Sequence, residues 1–163
     1  MNEHVYLIGM PGSGKSSVGR ALAEVLDAPF VDLDEEIERD AGMPIPDIFR
    51  EKGEEGFRHL EEAAVARVAG SPPSIVACGG GAPLREANRE RLRATGVVVW
   101  LEAPAEKLWK RIRLVPRPLV KGPVDLGRLA RERDAVYREL AAHRVRSDGE
   151  AVAVAHEVAE MLR

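Results

Sequence analysis

A glycine-rich segment near the start of the chain has the residue types that bind nucleotide phosphates. Residues 9–16 read Gly-Met-Pro-Gly-Ser-Gly-Lys-Ser and fit the pattern G-x-x-x-x-G-K-[ST]. Glycines let backbone N–H groups converge on phosphate oxygens, Lys15 can reach the β- and γ-phosphates, and the Ser16 hydroxyl can ligate Mg²⁺. By average composition, the pattern arises by chance in roughly one chain of this length in 200. We predict a nucleotide site formed by Gly12, Ser13, Gly14, Lys15, Ser16 and Ser17.

Two carboxylates follow the second apolar run of the chain. Asp32 and Asp34 come at the end of Pro29-Phe-Val-Asp32, a candidate strand. Because ligands of a parallel sheet bind beyond the carboxyl ends of its strands, we expect Asp32 to face the Mg²⁺ region. Asp34 would face an incoming hydroxyl, which it could orient or deprotonate. The alternative is that the pair only caps a helix, since Glu35 follows.

Three glycines, Gly79, Gly80 and Gly81, follow the third candidate strand. They let a small ligand approach the backbone and offer it amide donors, and a plain loop would not need three flexible residues. Cys78 precedes them, and we interpret it as a small buried residue because no Lys, Arg or His lies nearby in sequence. The phosphate loop (residues 9–16), the aspartates and the glycines should therefore converge on one crevice that holds a second substrate.

Arg58 and Glu61 are three residues apart and are therefore neighbours on one face of a predicted helix. Glu54 precedes Arg58 by four residues, so two carboxylates could hold this guanidinium. A guanidinium fixed in this way can bind a substrate carboxylate through two hydrogen bonds. A surface salt bridge is the other interpretation, and the residues alone leave both open.

A basic stretch runs from Lys107 to Lys121 without an acidic residue. Within it, Arg117 stands between Pro116 and Pro118, which favour an extended backbone. We predict a lid that brings positive charge onto ATP and excludes water when it closes. A solvated basic helix end is the alternative. A nucleic-acid patch is less consistent with the sequence, because interleaved exposed aromatic residues are missing.

Short apolar runs alternate with amphipathic stretches along the chain, and strands that alternate with helices pair in parallel with helices on both faces of the sheet. The fold class is therefore three-layer α/β, in one domain over residues 1–163. The predicted strands lie at 4–8, 29–32, 74–78, 96–101 and 144–146. The predicted helices lie at 15–26, from about 34, and at 54–68, 126–142 and 150–163, the last with Val152, Val158 and Leu162 as apolar positions.

Composition narrows the class of protein. The 163 residues are 45% hydrophobic and 31% charged, as in ordinary globular proteins. A net charge of −3 is unfavourable for general nucleic-acid binding, and one cysteine excludes an internal disulfide framework. No apolar run approaches the ~20 residues that cross a membrane, the start is unlike a signal peptide, and the four histidines lack metal-ligand spacing. We expect a cytoplasmic monomer without nucleic-acid or membrane partners.

The motifs agree in order and spacing with those of one known family. They are the phosphate loop, Asp32-x-Asp34, Phe57-Arg58-x-x-Glu61, the glycines at 79–81, Arg117-Pro118-Leu119 and Arg133-x-x-x-Tyr137. Over nearly its full length the chain resembles the shikimate kinases. The resemblance implies a phosphate-loop kinase fold (α/β/α) with a five-stranded parallel sheet, a substrate-binding region at about 33–61 and a lid at about 111–124. It also implies ATP- and Mg²⁺-dependent phosphorylation of the shikimate 3-hydroxyl, in the pathway to chorismate and aromatic amino acids.

The resemblance also implies roles for the residues around the acceptor. Asp34 would bind the shikimate hydroxyls and activate the attacking one, and Gly80 would contact shikimate through its backbone. Arg58 and Arg133 would hold the substrate carboxylate. Without the resemblance, Arg133 would be interpreted as a surface residue of its helix.

Further roles are implied at the phosphates. Ser16 would ligate Mg²⁺ directly, with Asp32 in support. Lys15 and Arg117 would stabilise the transferring phosphoryl group.

The chain departs from the family pattern at two places. The basic residue that usually stands about seven before Arg117 is Lys110 here, with Arg111 next, which indicates a lid shortened or shifted by one residue. An arginine is common in the adenine-side loop of the family, where this chain has Arg146-Ser-Asp-Gly-Glu150. The adenine contacts therefore stay open.

Two other classes of function fit part of the pattern. Another small-molecule kinase, for gluconate or a nucleoside monophosphate, would share the phosphate loop and lid but would not need Arg58 and Glu61 together with three glycines. A nucleotide-gated binding protein would give Asp34, Arg58 and Arg133 no purpose, and no N-K-x-D guanine element is present.

Overall fold

Five short strands form one parallel sheet in the computed structural model, which describes residues 1–113 and 118–163. The strands are β1 (His4–Ile8), β2 (Phe30–Asp32), β3 (Ile75–Ala77), β4 (Gly96–Glu102) and β5 (His143–Arg146). Their order across the sheet is β2-β3-β1-β4-β5. The central β1 pairs in parallel with β3 through Val5 and Ile75, and with β4 through Val5 and Val97. The five-stranded parallel sheet is thus confirmed.

Helices cover both faces of this sheet, as the sequence predicts. They are α1 (Lys15–Leu26), α2 (Leu33–Ala41), α3 (Ile45–Ala69), α4 (Glu86–Thr95), α5 (Ala105–Ile112), α6 (Pro123–Leu140) and α7 (Ala151–Met161), with a 3₁₀ turn at Ala82–Leu84. Side chains alternate along β1, so Tyr6 and Ile8 enter one hydrophobic cluster and Val5 and Leu7 the other. Helices α1 and α7 pack on the second cluster, which gives three layers.

The helix predictions need four corrections. Helix α3 is broken at Gly53, where φ is 71°, and its second part agrees with the helix predicted at 54–68, whereas its first part, from Ile45, was not predicted. Helices α4 and α5 were not predicted. Helix α4 buries only Asn88 and Leu92 and so has a weak apolar pattern, and α5 is short, with eight residues. Helix α6 is shifted by two or three residues to Pro123–Leu140. In α7, Val152 is 59% exposed and is not an apolar contact.

The topology brings the predicted motifs to one edge of the sheet. The phosphate loop follows β1, Asp32 ends β2, and the three glycines follow β3 after Cys78. Because β1, β2 and β3 are neighbours that run in parallel, their carboxyl ends lie together. None of the helices in the described ranges has the length and hydrophobicity needed to span a bilayer.

Candidate active site

The phosphate loop joins β1 to α1 through backbone conformations that require glycine. Gly12 has φ 81° and Gly14, the N-cap of α1, has φ 91°. Lys15 Nζ donates hydrogen bonds to the carbonyls of Gly9 (2.7 Å) and Met10 (2.9 Å), which fix the ammonium over the loop. The lining of a cavity of about 350 Å³, the phosphate cavity, includes the predicted residues Gly12, Gly14, Lys15, Ser16 and Ser17.

Ser13 is the one predicted loop residue that the structure places elsewhere. It is fully buried, and its Oγ has no hydrogen-bond partner among the described residues. Its backbone N–H donates to the Met10 carbonyl at 3.1 Å. Ser13 therefore shapes the loop from the inside and does not line the phosphate cavity.

Asp32 makes both contacts that the sequence suggested, one as a helix cap and one toward the magnesium region. Its Oδ1 accepts a hydrogen bond from the Asp34 backbone N–H at 3.0 Å and caps α2. Its Oδ2 accepts from the Ser16 hydroxyl at 2.5 Å. The capping contact thus orients the same carboxylate that lies against the predicted magnesium ligand.

A second, larger cavity of about 560 Å³ adjoins the phosphate cavity, and we call it the acceptor cavity. The two share Asp34 and Gly80 in their linings, together with Pro11, Ser16 and Asp32. Its polar lining includes Arg58, Glu61, Arg133 and the three glycines. Its apolar wall, which was not predicted, includes Ile45, Pro46, Phe49, Phe57, Leu119 and Leu129. A molecule in this cavity would lie beside the end of a nucleotide triphosphate.

Arg58 is buried between the two carboxylates that the spacing predicts. Its Nη1 donates to Glu61 Oε1 at 2.8 Å, and its Nη2 lies 3.6 Å from Glu54 Oε1. Burial raises the pKa of Glu61, although the Arg58 guanidinium opposes this shift. A surface salt bridge would be exposed, whereas only 7% of Arg58 and 1% of Glu61 are accessible to solvent.

Arg133 reaches the same cavity from α6 and is also buried. In the described ranges, no carboxylate oxygen lies within the 4.0 Å of an ion pair with its guanidinium. One turn later, Tyr137 donates to the Gly80 carbonyl at 2.6 Å. Burial raises the pKa of Tyr137 to about 12, so the hydroxyl keeps its proton and anchors α6 to the glycine segment. A buried guanidinium without a carboxylate partner is suited to an anionic ligand.

The three glycines leave space for the charged side chains of the acceptor cavity. A Cβ atom at Gly79 would lie 2.9 Å from Asp34 Oδ1 and 3.0 Å from Glu61 Oε2. One at Gly80 would lie 2.9 Å from Arg133 Nη1, and one at Gly81 would overlap the Arg58 guanidinium. Glycine is favoured here by these contacts and not by backbone conformation, since φ at Gly81 is −96°.

Arg111 is a site residue that sequence reasoning did not select. It donates to the carbonyls of Gly12 (2.8 Å) and Ser147 (2.8 Å) and lines the phosphate cavity, whereas Lys110 does not. The basic pair Lys110 and Arg111 in the sequence was the available signal. Arg117 lies outside the described residues.

Arg111 also allows a matched comparison. We expect Arg111→Ala to raise the KM for ATP by about tenfold, because hydrogen bonds from a charged donor to the phosphate loop are lost. Lys110→Ala removes the same charge one residue away and should change the KM for ATP by less than about twofold. Steady-state kinetics at saturating acceptor measures both, and equal effects would contradict the assignment of Arg111.

Together, the parallel sheet, the phosphate loop and the adjoining cavity with its two buried guanidinium groups place the molecule among the ATP-dependent kinases of small acceptors. Residues 11–163 match the family model described as "Shikimate kinase". The shikimate kinase of Symbiobacterium thermophilum is 49% identical over 151 residues, covering 89% of this chain and 87% of its own. The chain belongs to the shikimate kinase family.

Solved structures agree with this family. The structure of the shikimate kinase from Acinetobacter baumannii in complex with shikimate superposes with a TM-score of 0.94 at 38% identity, over 98% of this chain and 92% of its own. A gluconokinase from Sinorhizobium meliloti superposes with a TM-score of 0.56 at 23% identity, over 99% and 95% of the two chains. The second likeness shows a shared fold only.

Proposed function

We propose that this chain transfers the γ-phosphoryl group of ATP to the 3-hydroxyl of shikimate, a step toward chorismate and the aromatic amino acids. The observation that carries the proposal is the pair of buried guanidinium groups, Arg58 and Arg133, in the cavity that Asp34 shares with the phosphate loop. Shikimate has a carboxylate for the arginines and hydroxyls for the aspartate. The Acinetobacter baumannii relative was solved with shikimate bound, which supports the same acceptor here.

The acceptor is oriented by groups at both ends of the cavity. Arg58 and Arg133 bind its carboxylate, and the Glu61 carboxylate holds Arg58 in place. Asp34 lies at the boundary with the phosphate cavity, so it binds the acceptor hydroxyl that faces the γ-phosphate and accepts its proton during transfer. The backbone of Gly80, which lines the cavity, contacts the acceptor. Positioning of the reactants supplies most of the rate in this type of reaction.

The transferring phosphoryl group is bound by cations. The carbonyls of Gly9 and Met10 hold the Lys15 ammonium over the phosphate loop. In this position the ammonium can reach the β- and γ-phosphates. We propose that Arg117, in the lid at about 111–124, adds a second positive charge. Residues at about 33–61, which contribute Ile45 and Phe49 to the apolar wall, form the substrate-binding region of a single kinase domain.

The donor set at the phosphate loop fits Mg²⁺. The Ser16 hydroxyl and the Asp32 carboxylate are hard oxygen donors that already contact each other at 2.5 Å. Mg²⁺ needs only one or two protein oxygens when phosphates and water complete its shell. When bound, it would neutralise charge on the β- and γ-phosphate oxygens. Ser16 would hold the ion directly, and Asp32 would orient Ser16.

A coupled assay of ADP formation with Mg²⁺ tests the proposal directly. Shikimate, gluconate, AMP and no acceptor are compared at equal concentration. We expect stimulation by shikimate alone. Stimulation by gluconate or AMP instead would assign a different acceptor, and binding of ATP without stimulation by any acceptor would favour a nucleotide-gated binding protein.

A further inference from the structure

Glu61 is the most deeply buried charged group of the acceptor cavity. Its side chain is 1% exposed, and Oε1 accepts the hydrogen bond from Arg58. Its other oxygen, Oε2, has no hydrogen-bond partner among the residues that the structure describes. Oε2 has therefore lost its hydrogen bonds to water without gaining others from the protein. This favours the neutral form of the carboxyl group.

The charges that face Glu61 come from three helices. Helix α3 supplies Arg58, helix α2 supplies Asp34, and helix α6 supplies Arg133. Asp34 raises the pKa of Glu61 and the two guanidinium groups lower it, but burial has the largest effect. The two nearby groups that ionise at high pH, the Cys78 thiol and the Tyr137 hydroxyl, stay neutral because burial raises the pKa of each.

Carboxylates outnumber guanidinium groups in the described lining of the acceptor cavity. Among the described residues that line it, two are guanidinium groups and five are carboxylates, namely Asp32, Asp34, Glu35, Glu38 and Glu61. An acceptor with a carboxylate adds another negative charge beside Arg58. Arg58 then divides its interaction between the acceptor and Glu61, so the ionised form of Glu61 loses part of its stabilisation.

We propose that Glu61 takes up a proton on Oε2 when a carboxylate-bearing acceptor binds to Arg58, and returns it to solvent when the acceptor leaves. The inference rests on the proposed function, which supplies the acceptor carboxylate. Oε1 keeps its hydrogen bond from Arg58, while the new O–H bond on Oε2 removes the negative charge of Glu61. The positive charge of Arg58 is then available to the acceptor. Glu61 thereby acts as a positioning residue, and it never touches the transferred phosphoryl group.

The Asp34 carboxylate borders the same small space as the oxygen that takes up the proton. Glu61 Oε2 and Asp34 Oδ1 both border the space that a Cβ atom at Gly79 would occupy, at 3.0 Å and 2.9 Å from that point. Two ionised carboxylate oxygens repel each other there, whereas a protonated Oε2 can donate toward Asp34. Proton uptake by Glu61 therefore relieves the repulsion between the two carboxylates.

Proton uptake by Glu61 makes acceptor affinity depend on pH in a defined direction. Uptake occurs at pH values between the pKa of Glu61 in the free protein and its higher pKa in the complex, and it vanishes well above the latter. Since the complex binds more protons than the free protein, acceptor affinity should fall as pH rises through this interval and level off above it. The limiting slope is about tenfold in Kd per pH unit for one linked proton.

Calorimetric titration of the full chain with shikimate, in buffers of low and high ionisation enthalpy at one near-neutral pH, measures the uptake. We expect the apparent binding enthalpy to rise linearly with buffer ionisation enthalpy, with a slope between zero and one proton taken up per acceptor. Binding with a slope of zero or below would overturn the inference and leave the proposed function intact. Absence of shikimate binding would overturn both.

Two variants identify the group that is protonated. Glu61→Gln keeps an oxygen for Arg58 but cannot take up a proton, so the slope and the pH dependence of Kd should be lost. Glu54→Gln removes the other carboxylate beside Arg58, one that is 54% exposed, and should keep both. Uptake that persists in folded Glu61→Gln would contradict the assignment. Should that variant not fold, uptake by the parent chain that is retained in Glu54→Gln supports the inference, and a slope of zero for the parent chain still overturns it.

Discussion

Replacing Lys15 with alanine is expected to lower turnover by about a thousandfold or more, with shikimate affinity close to that of the parent chain. The ammonium is held over the phosphate loop by the Gly9 and Met10 carbonyls, where it meets the charge that develops on the transferring phosphoryl group. A fixed cation in this position stabilises the transition state more than the bound substrates. The acceptor cavity, by contrast, does not include Lys15 in its lining.

The measurement is kcat by coupled assay together with the Kd for shikimate by calorimetry. The variant also loses two hydrogen bonds, each worth about 1 kcal/mol, so its thermal midpoint must be recorded beside its rate. Lys52→Ala, which removes an exposed lysine of α3, serves as the matched control. A folded Lys15→Ala protein that retained activity within about tenfold of the parent chain would contradict the assignment.

The parts of the site that could be predicted are those whose signal is local. The phosphate loop is contiguous, and Arg58 and Glu61 meet because residues three apart share a helix face. The aspartates and glycines were placed correctly because strand ends of a parallel sheet lie at one edge. In each case, a short stretch of sequence and one general rule were enough.

Other features depend on contacts that no local pattern encodes. Arg111 faces the phosphate loop instead of Lys110 because Leu108 and Ile112 pack α5 closely against Gly12, and this packing sets the rotation of the helix. The hydrogen bond from Tyr137 to Gly80 joins residues 57 apart in sequence. The reason for three successive glycines is likewise non-local, since Arg58 and Arg133 arrive from different helices.

The second large effect is expected for Arg58→Ala, which should act on both binding and stability. Loss of a bidentate partner for the acceptor carboxylate should raise the KM for shikimate by about 100-fold, equivalent to ~2.7 kcal/mol, with ATP affinity near normal. Removing Arg58 also leaves Glu61 buried without its cation, which should cost about 3–5 kcal/mol of unfolding free energy. A drop in ATP affinity with an unchanged KM for shikimate would contradict the assignment of Arg58 to the acceptor cavity.

The variant Arg133→Ala separates the effect on acceptor binding from the effect on stability. Arg133 has no ion-pair partner in the described part of the chain, so its removal should raise the KM for shikimate while costing less stability than Arg58→Ala. Denaturant unfolding of both variants measures the difference. Equal losses of stability would show that Glu61 does not depend on Arg58.

The pH dependence of the Arg58→Ala protein adds an internal check, because its destabilisation arises from an ionised Glu61. The pKa of this carboxyl in the folded parent chain is already raised by burial, and without Arg58 it should rise further. A raised folded-state pKa means that the stability of the variant is highest below the pKa of the unfolded chain and falls as pH rises through the folded-state pKa. The gap in unfolding free energy between the variant and the parent chain should therefore be smaller at about pH 5 than at about pH 8. If the gap did not change with pH, loss of packing around the arginine, and not an uncompensated carboxylate, would be the cause of the destabilisation.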